Sequence, residues 1–243
     1  MTIGVDLVEV DTDVLGYPVF SVSGIEAAED LDDAVRVIDS GADKSYAVCK
    51  VPIERIDLVH QAQARGFAFL EVQLRTSLRI KQAPVGRHDA YTYVRIDERE
   101  QLDEVLEIAG HTVEHDRFSR DPALDATVSG ERYRRYLVQS FETVGEEIWS
   151  VRSVNSGRLL TFRSHRIISP TEVLLLNGGV HPAHKGAGLG VVSSHFCFAQ
   201  LRESGIARAV SHISAANSPI INLELGYCNF RVMDSFVVLR RAT

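Results

Sequence analysis

Cysteine is scarce in this chain. Cys49, Cys197 and Cys228 are the three in 243 residues, odd in number and without Cys-x-x-Cys spacing, so neither a disulfide framework nor a zinc site is expected and the thiols are read as reduced. Basic charge is also short, with 26 Lys and Arg against 33 Asp and Glu and a formal net charge of −7. Nucleic-acid binding normally needs a basic face to replace phosphate counterions, and this balance argues against it. The clusters Arg132/Arg134/Arg135 and Arg240/Arg241 are accordingly read as solvated faces. Long apolar runs are missing: Val173 to Leu176 falls far below the roughly 20 residues of a membrane-spanning helix. The acidic start (Asp6, Glu9, Asp11, Asp13) lacks the basic region of a signal peptide, so the expected location is the cytoplasm. His-Glu-x-x-His is absent too. His111 and His115 stand at i,i+4 with Glu114 beside them, and His181 and His184 flank a loop, but neither pair has a third ligand and no metal is expected.

What is present begins with an ordinary apolar fraction, 45%, enough for a real core in one large domain or two small ones. The most informative stretch is Val180-His181-Pro182-Ala183-His184-Lys185-Gly186-Ala187-Gly188-Leu189-Gly190. It lies between a strand, Glu172 to Val180, and a helix, Val191 to Glu203. Glycines at alternate positions let the chain turn tightly and bring backbone N–H groups to an anion, and the helix adds its positive N-terminal end. A diphosphate ligand is the natural reading. A phosphate-binding loop of the Gly-Lys-Ser/Thr kind is excluded, because Lys185 precedes the glycines and no hydroxyl residue follows Gly190. A dinucleotide fingerprint would need an acidic residue at a strand end about 20 positions on, and Glu203 lies near a helix end. The alternative is a glycine-rich turn without a ligand.

After this helix come a strand from Ala207 to Ile213, then Asn217 opening a short helix, then a strand from Phe230 to Leu239. With Lys185-Gly186-Ala187-Gly188-Leu189-Gly190, this order resembles the GCN5-related N-acetyltransferases, whose pyrophosphate loop reads Arg/Gln-x-x-Gly-x-Gly/Ala. Lysine stands here in the first place, a mild departure because the motif works through backbone amides. The resemblance covers roughly residues 95 to 241. It implies that Lys185, Gly186, Ala187, Gly188, Leu189 and Gly190 hold the pyrophosphate of acetyl-CoA. It further implies that Gly179 and Val180, at the end of a splayed strand, lie along the pantetheine arm with Gly178, and that Asn217 holds that arm.

The first ninety-odd residues carry a second pattern. Tyr46 to Val51 reads as a strand, Glu54 to Arg65 as a helix with Ile56, Val59 and Ala62 on one face, and Phe67 to Leu74 as a strand, with Gly66 closing the helix. The same strand-helix-strand order recurs from Ala207 to Leu239 at nearly equal spacing, which suggests an internal duplication. Gly66-Phe67-Ala68-Phe69-Leu70-Glu71 is similar to a segment of the bacterial dTDP-fucosamine acetyltransferases, a sugar-nucleotide subgroup of that family, in which the glutamate is the proposed general base. Leu15-Gly16-Tyr17-Pro18-Val19, Arg117-Phe118-Ser119-Arg120-Asp121-Pro122 and the terminal Ser235 to Arg240 fit the same subgroup.

Amine acetylation needs a group to take a proton from the ammonium acceptor and a donor to the departing thiolate. The resemblance assigns the first role to Glu71, whose plain alternative is a solvent-facing strand residue. For the second, the position where relatives place a tyrosine holds Glu224, and Tyr227 follows three residues later, on the same face of an α-helix. Tyr227, Glu224 with a raised pKa, and water all remain open. Arg117 and Arg120 are candidates for the acceptor, since guanidinium groups pair well with phosphate oxygens; a loop held by salt bridges is the alternative.

The expected fold is mixed α/β, a twisted and mostly antiparallel sheet flanked by helices, with residues 1–94 a degenerate half and residues 95–243 the acetyltransferase domain. The expected activity is acetyl transfer from acetyl-CoA to an amino group, with a nucleotide-linked amino sugar as the acceptor the subgroup implies and a homodimer as the assembly considered. Two rivals stand beside it: the same fold acting on a small amine, an amino acid or a protein lysine, and a CoA-binding module without turnover.

Overall fold

The computed structural model describes residues 3–40, 43–112 and 115–243. The first part of the chain runs β1 (Gly4–Leu7), α1 (Glu9–Leu15), β2 (Val19–Ser23), α2 (Ala28–Asp39), β3 (Tyr46–Pro52), α3 (Ile56–Ala64) and β4 (Ala68–Arg79). The rest runs β5 (Tyr91–Arg95), α4 (Arg99–Ala109), α5 (Arg117–Arg120), α6 (Val128–Glu142), β6 (Glu146–Ser153), β7 (Leu159–Ser169), β8 (Glu172–Val180), α7 (Leu189–Glu203), β9 (Arg208–Ser214), α8 (Ser218–Ile221) and β10 (Arg231–Ala242). The elements expected from apolar periodicity are present, with ends shifted by a few residues. Gly66 closes α3 with a φ of 85°, a left-handed conformation that favours glycine.

The ten strands of the described residues form one sheet in the order β1-β2-β3-β10-β4-β9-β8-β7-β6-β5. Its pairing is antiparallel except for β2 with β3 and β8 with β9. The two longest central strands come from opposite ends of the chain. β10 lies between β3 and β4, and β4 lies between β10 and β9. Read outward from the β10–β4 pair, each side meets an antiparallel partner, then a parallel pair, then an antiparallel pair. The segments β3-α3-β4 and β9-α8-β10 therefore share one connectivity, in which two strands flank a strand of the other half. This explains why β4 runs five residues beyond the expected end at Leu74: from Gln73 to Arg79 it pairs with β9, and Thr76 and Leu78 are buried.

Helices cover both faces. On one, Leu31, Ala34 and Ile38 of α2 and Leu58, Val59 and Ala62 of α3 pack on β3 and β10, while Cys197, Phe198 and Leu201 of α7 pack on Leu78, Val173, Leu175 and Ala209. On the other, Leu102, Val105 and Ile108 of α4 and Leu137 of α6 pack on Ile148, Leu159 and Phe162, and Phe118 of α5 packs on Tyr46, Val48 and Val238. Arg132 is not part of a solvated face. Its Nε donates to Asp11 Oδ1 at 2.8 Å with both groups buried, which fastens α6 to α1. Arg240 likewise pairs with buried Asp121 at 3.1 Å. A cluster of arginines looks solvent-facing in sequence when the carboxylates that receive it are more than a hundred residues away.

Candidate active site

The parallel pair β8–β9 is joined only from Glu172–Arg208 to Leu175–Ser211. Beyond it β8 continues to Val180 and β9 to Ser214 without pairing each other, so the two strands part and the facing edge of residues 176–180 is open. The opposite edge of β8 remains bonded to β7 as far as Thr161–Val180. At the open end the chain turns through residues 181–188 into α7, the N–H of Ala183 donating to His181 Nδ1 at 3.2 Å.

Gly186 and Gly188 have φ values of 83° and 75°. A Cβ at either would meet nothing within 4 Å, so backbone handedness and not crowding is what calls for glycine there. Gly188 is the N-cap of α7, and no side chain caps that helix. The N–H groups of Leu189 and Gly190 lack intrahelical acceptors, while Val191 N–H already bonds Gly188 O at 3.0 Å, and fifteen residues of helix dipole point at this end. Gly179 is explained differently: a Cβ there would fall 2.7 Å from the Phe162 ring and 2.9 Å from Thr112, so packing already requires it. Asn217 opens α8 as expected, its Oδ1 accepting from the Ile220 N–H at 3.2 Å, which leaves its amide N–H groups for another partner.

After α8 the chain winds into a π-helix from Asn222 to Tyr227. Each residue of a π-helix advances by a smaller angle than in an α-helix, so residues three apart do not return to the same face. Glu224 is 6% exposed and Tyr227 42%, and the shared face expected for them is not formed. The Thr76 hydroxyl donates to Glu224 Oε2 at 2.9 Å, and Ser211 bonds the same carboxyl. Burial raises the Glu224 pKa against the opposing effect of Ser211, Thr76 and Arg163. Because Ser211 belongs to the last β8–β9 pair, this carboxyl sits where the strands part. The Tyr227 hydroxyl instead meets His195 Nε2 at 2.8 Å, and His195 Nδ1 meets His88 Nε2 at 2.8 Å. Burial and the neighbouring His88 lower the His195 pKa.

Glu71 is 7% exposed, not a solvent-facing strand residue. Along β4, Glu71, Gln73 and Arg75 alternate with Leu74 and Thr76, so Glu71 and the Glu224 carboxyl lie on opposite faces of the sheet. Arg117 stands 3.8 Å from Glu71; Arg120, one turn on, is exposed. Lys50 is electrostatically coupled to both Glu71 and Arg117. The sequence did not single out Lys50, His88, His195, Ser211 or His212. The available signal was polarity inside apolar strands: Lys50 interrupts Ala47 to Val51, and Ser211 and His212 interrupt Ala209 to Ile213. Glu114 lies outside the described residues, and among those described no group of three His, Cys, Asp or Glu side chains is placed to hold a metal. Nor is any described helix long and apolar enough to cross a membrane.

A mostly antiparallel sheet whose parallel β8–β9 pair is splayed, with a glycine turn and an uncapped helix at the open end, has the fold of the GCN5-related N-acetyltransferases. Solved structures bear this out. A GCN5-related N-acetyltransferase from Sphaerobacter thermophilus superposes with a TM-score of 0.66 at 12% identity, over 99% of this chain and 76% of its own. One from Kribbella flavida gives 0.64 at 12%, over 92% and 81%. A tandem protein of this fold from the clavulanic acid biosynthesis pathway gives 0.61 at 15%, over 93% and 76%. No family model matches the sequence, and no curated protein matches it either. At these identities the likeness is one of fold.

Proposed function

We propose that this chain is an acetyl-CoA-dependent N-acetyltransferase. The observation that carries the reading is the parting of β8 from β9 beyond Leu175–Ser211, directly before a left-handed glycine turn and the uncapped N-terminus of α7. An open strand edge suits the amides of a pantetheine arm, and free N–H groups at a helix start suit a pyrophosphate. Lys185, Gly186, Ala187, Gly188, Leu189 and Gly190 would hold the pyrophosphate, Gly179 and Val180 the arm, and Asn217 its amide end. The bound thioester supplies an activated acetyl carbon. Glu71, directly or through water, takes the proton that frees the acceptor nitrogen to attack. Of the two candidate donors to the departing sulfur, Glu224 is favoured, because it lies beside the last β8–β9 pair and burial raises its pKa, whereas the Tyr227 hydroxyl is engaged by His195.

The acceptor in this reading is an amino group on a nucleotide-linked amino sugar, with Arg117 and Arg120 toward its phosphates. The division expected at residues 1–94 and 95–243 belongs to the same proposal, with the boundary moved ahead of β5, which pairs with β6: two repeats of one fold, of which the second binds CoA. Calorimetric titration with acetyl-CoA, with desulfo-CoA and ATP as controls, tests the reading. Saturable, pyrophosphate-dependent binding supports it and opens a screen of amino-sugar nucleotides; no binding removes it.

A further inference from the structure

The sheet face opposite α7 carries a row of charges that proton removal by Glu71 does not account for. Lys50 on β3 and Glu71 on β4 both lie opposite Val238 of β10. Four residues further along β4, on the same face, Arg75 lies opposite Asp234 on one side and His212 on the other. Residues paired across strands share a face, so Lys50, Glu71, Gln73, Arg75, Asp234 and His212 form one lateral patch, and Arg117 reaches it from α5. His212 is the first residue of β9 past its last pair with β8, which joins the patch to the opening between those strands.

The patch is short of negative charge, although Gln73 Oε1 is also buried there without a partner. Three basic side chains, Lys50, Arg75 and Arg117, meet two carboxylates. Asp234 is already bound to Arg75 at 2.9 Å, and Glu71 stands 3.8 Å from Arg117, beyond hydrogen-bond length. Arg117 Nε is buried without a partner. The cations also work against one another. Lys50 and His212 both reach solvent on this face. Desolvation by the surrounding protein and Arg117 lower the Lys50 pKa to about 8 against the pull of Glu71, and desolvation, Lys50 and Arg75 hold His212 down to about 4 despite Asp234. A buried donor without an acceptor and like charges brought together are both unfavourable, and an added anion relieves both.

We infer that the acceptor amine carries an anionic oxyacid group, a carboxylate or a phosphate, held among Lys50, Arg117 and His212 so that its nitrogen faces the opening between β8 and β9. This rests on the transferase reading for the amine and on the charge row alone for the anion.

The test follows the His212 ring by NMR in the full chain, with CoA present to occupy the glycine loop and His212→Gln to assign the signal. The probes are ethanolamine, β-alanine and phosphoethanolamine, which share an amine and differ in the anion. The expected result is a saturable shift with β-alanine or phosphoethanolamine, at least tenfold tighter than ethanolamine, and a rise of the His212 pKa on binding. Lys50→Met and Arg117→Met should each weaken the anionic probe by about tenfold, with an unchanged circular dichroism spectrum. Whichever anionic probe binds tighter identifies carboxylate or phosphate. Equal binding of ethanolamine, or no saturable shift with either anionic probe, overturns the inference. CoA binding without an anion effect leaves the transferase reading standing, and the reverse result separates the two in the other direction.

Discussion

Glu71 and Glu224 are two buried carboxyls whose surroundings differ in kind. Glu71 faces a cation, the Arg117 guanidinium 3.8 Å away. Glu224 faces hydroxyls, and burial favours its protonated form. Glu71→Gln should therefore lower kcat by about a hundredfold or more while leaving acetyl-CoA binding intact; steady-state rates beside calorimetry check both halves. For Glu224 the sign of the pH effect follows from linkage. Its folded pKa lies above the unfolded value, so the folded state binds the proton more tightly, and the carboxyl's contribution to stability is lost as pH rises through the folded pKa. Glu224→Gln should remove that slope, so that the melting-temperature difference between variant and parent moves in the variant's favour as pH is raised from 4 to 8. The glycine turn was legible from residue types alone, because alternate glycines between a strand and a helix have few other uses. The separation of Glu224 from Tyr227 was not legible, because spacing reads as shared face only if the helix is an α-helix, and nothing in Asn222 to Tyr227 announces the wider π turn.

At the scale of elements, the two strand-to-helix junctions that correspond in the sheet differ in who fills the helix start. Before α7 the amides are uncapped. Before α2 the Asp30 carboxylate accepts from the N–H groups of Glu26 and Ala27 at 2.8 and 2.9 Å, and Glu29 adds a second acid in the first turn. That junction supplies its own anion, so calorimetry should give one acetyl-CoA per chain. Replacing Gly188 by alanine forces a side chain into a left-handed conformation at a strain of about 1–2 kcal/mol, and the same titration should show weaker binding. The tie between α1 and α6 has a different signature. Asp11→Ala leaves the Arg132 guanidinium buried beside Asp116 alone, with an expected loss of about 3–5 kcal/mol in denaturant unfolding. Sequence patterning located these helices well, since their apolar faces are local; it misjudged Arg132, since the partner that buries it is remote in the chain.

For the molecule as a whole, the symmetric strand order means that neither half is complete alone. β10 has both of its partners, β3 and β4, within the first part of the chain, and β9 has β4 as its neighbour opposite β8. Residues 95–243 expressed alone should be insoluble or lack cooperative unfolding, and co-expression with residues 1–94 should restore a soluble complex, as size-exclusion chromatography would show. The repeated strand-helix-strand spacing hinted at this kinship between halves, whereas the exchange of strands left no trace in the sequence. Local patterning states that a strand exists and is silent on its neighbours.

The crossed strands also set a schedule for synthesis. β3 ends at Pro52 and β10 starts at Arg231, so at the ~20 residues per second of a fast ribosome the edge of β3 that faces β10 waits roughly ten seconds for its partner. Over that interval the nascent chain presents a pair of unfilled apolar strand edges, the kind of surface that holding chaperones bind. Cellular yield of this protein should accordingly respond more to chaperone supply and to translation speed over its last hundred codons than its final stability would suggest.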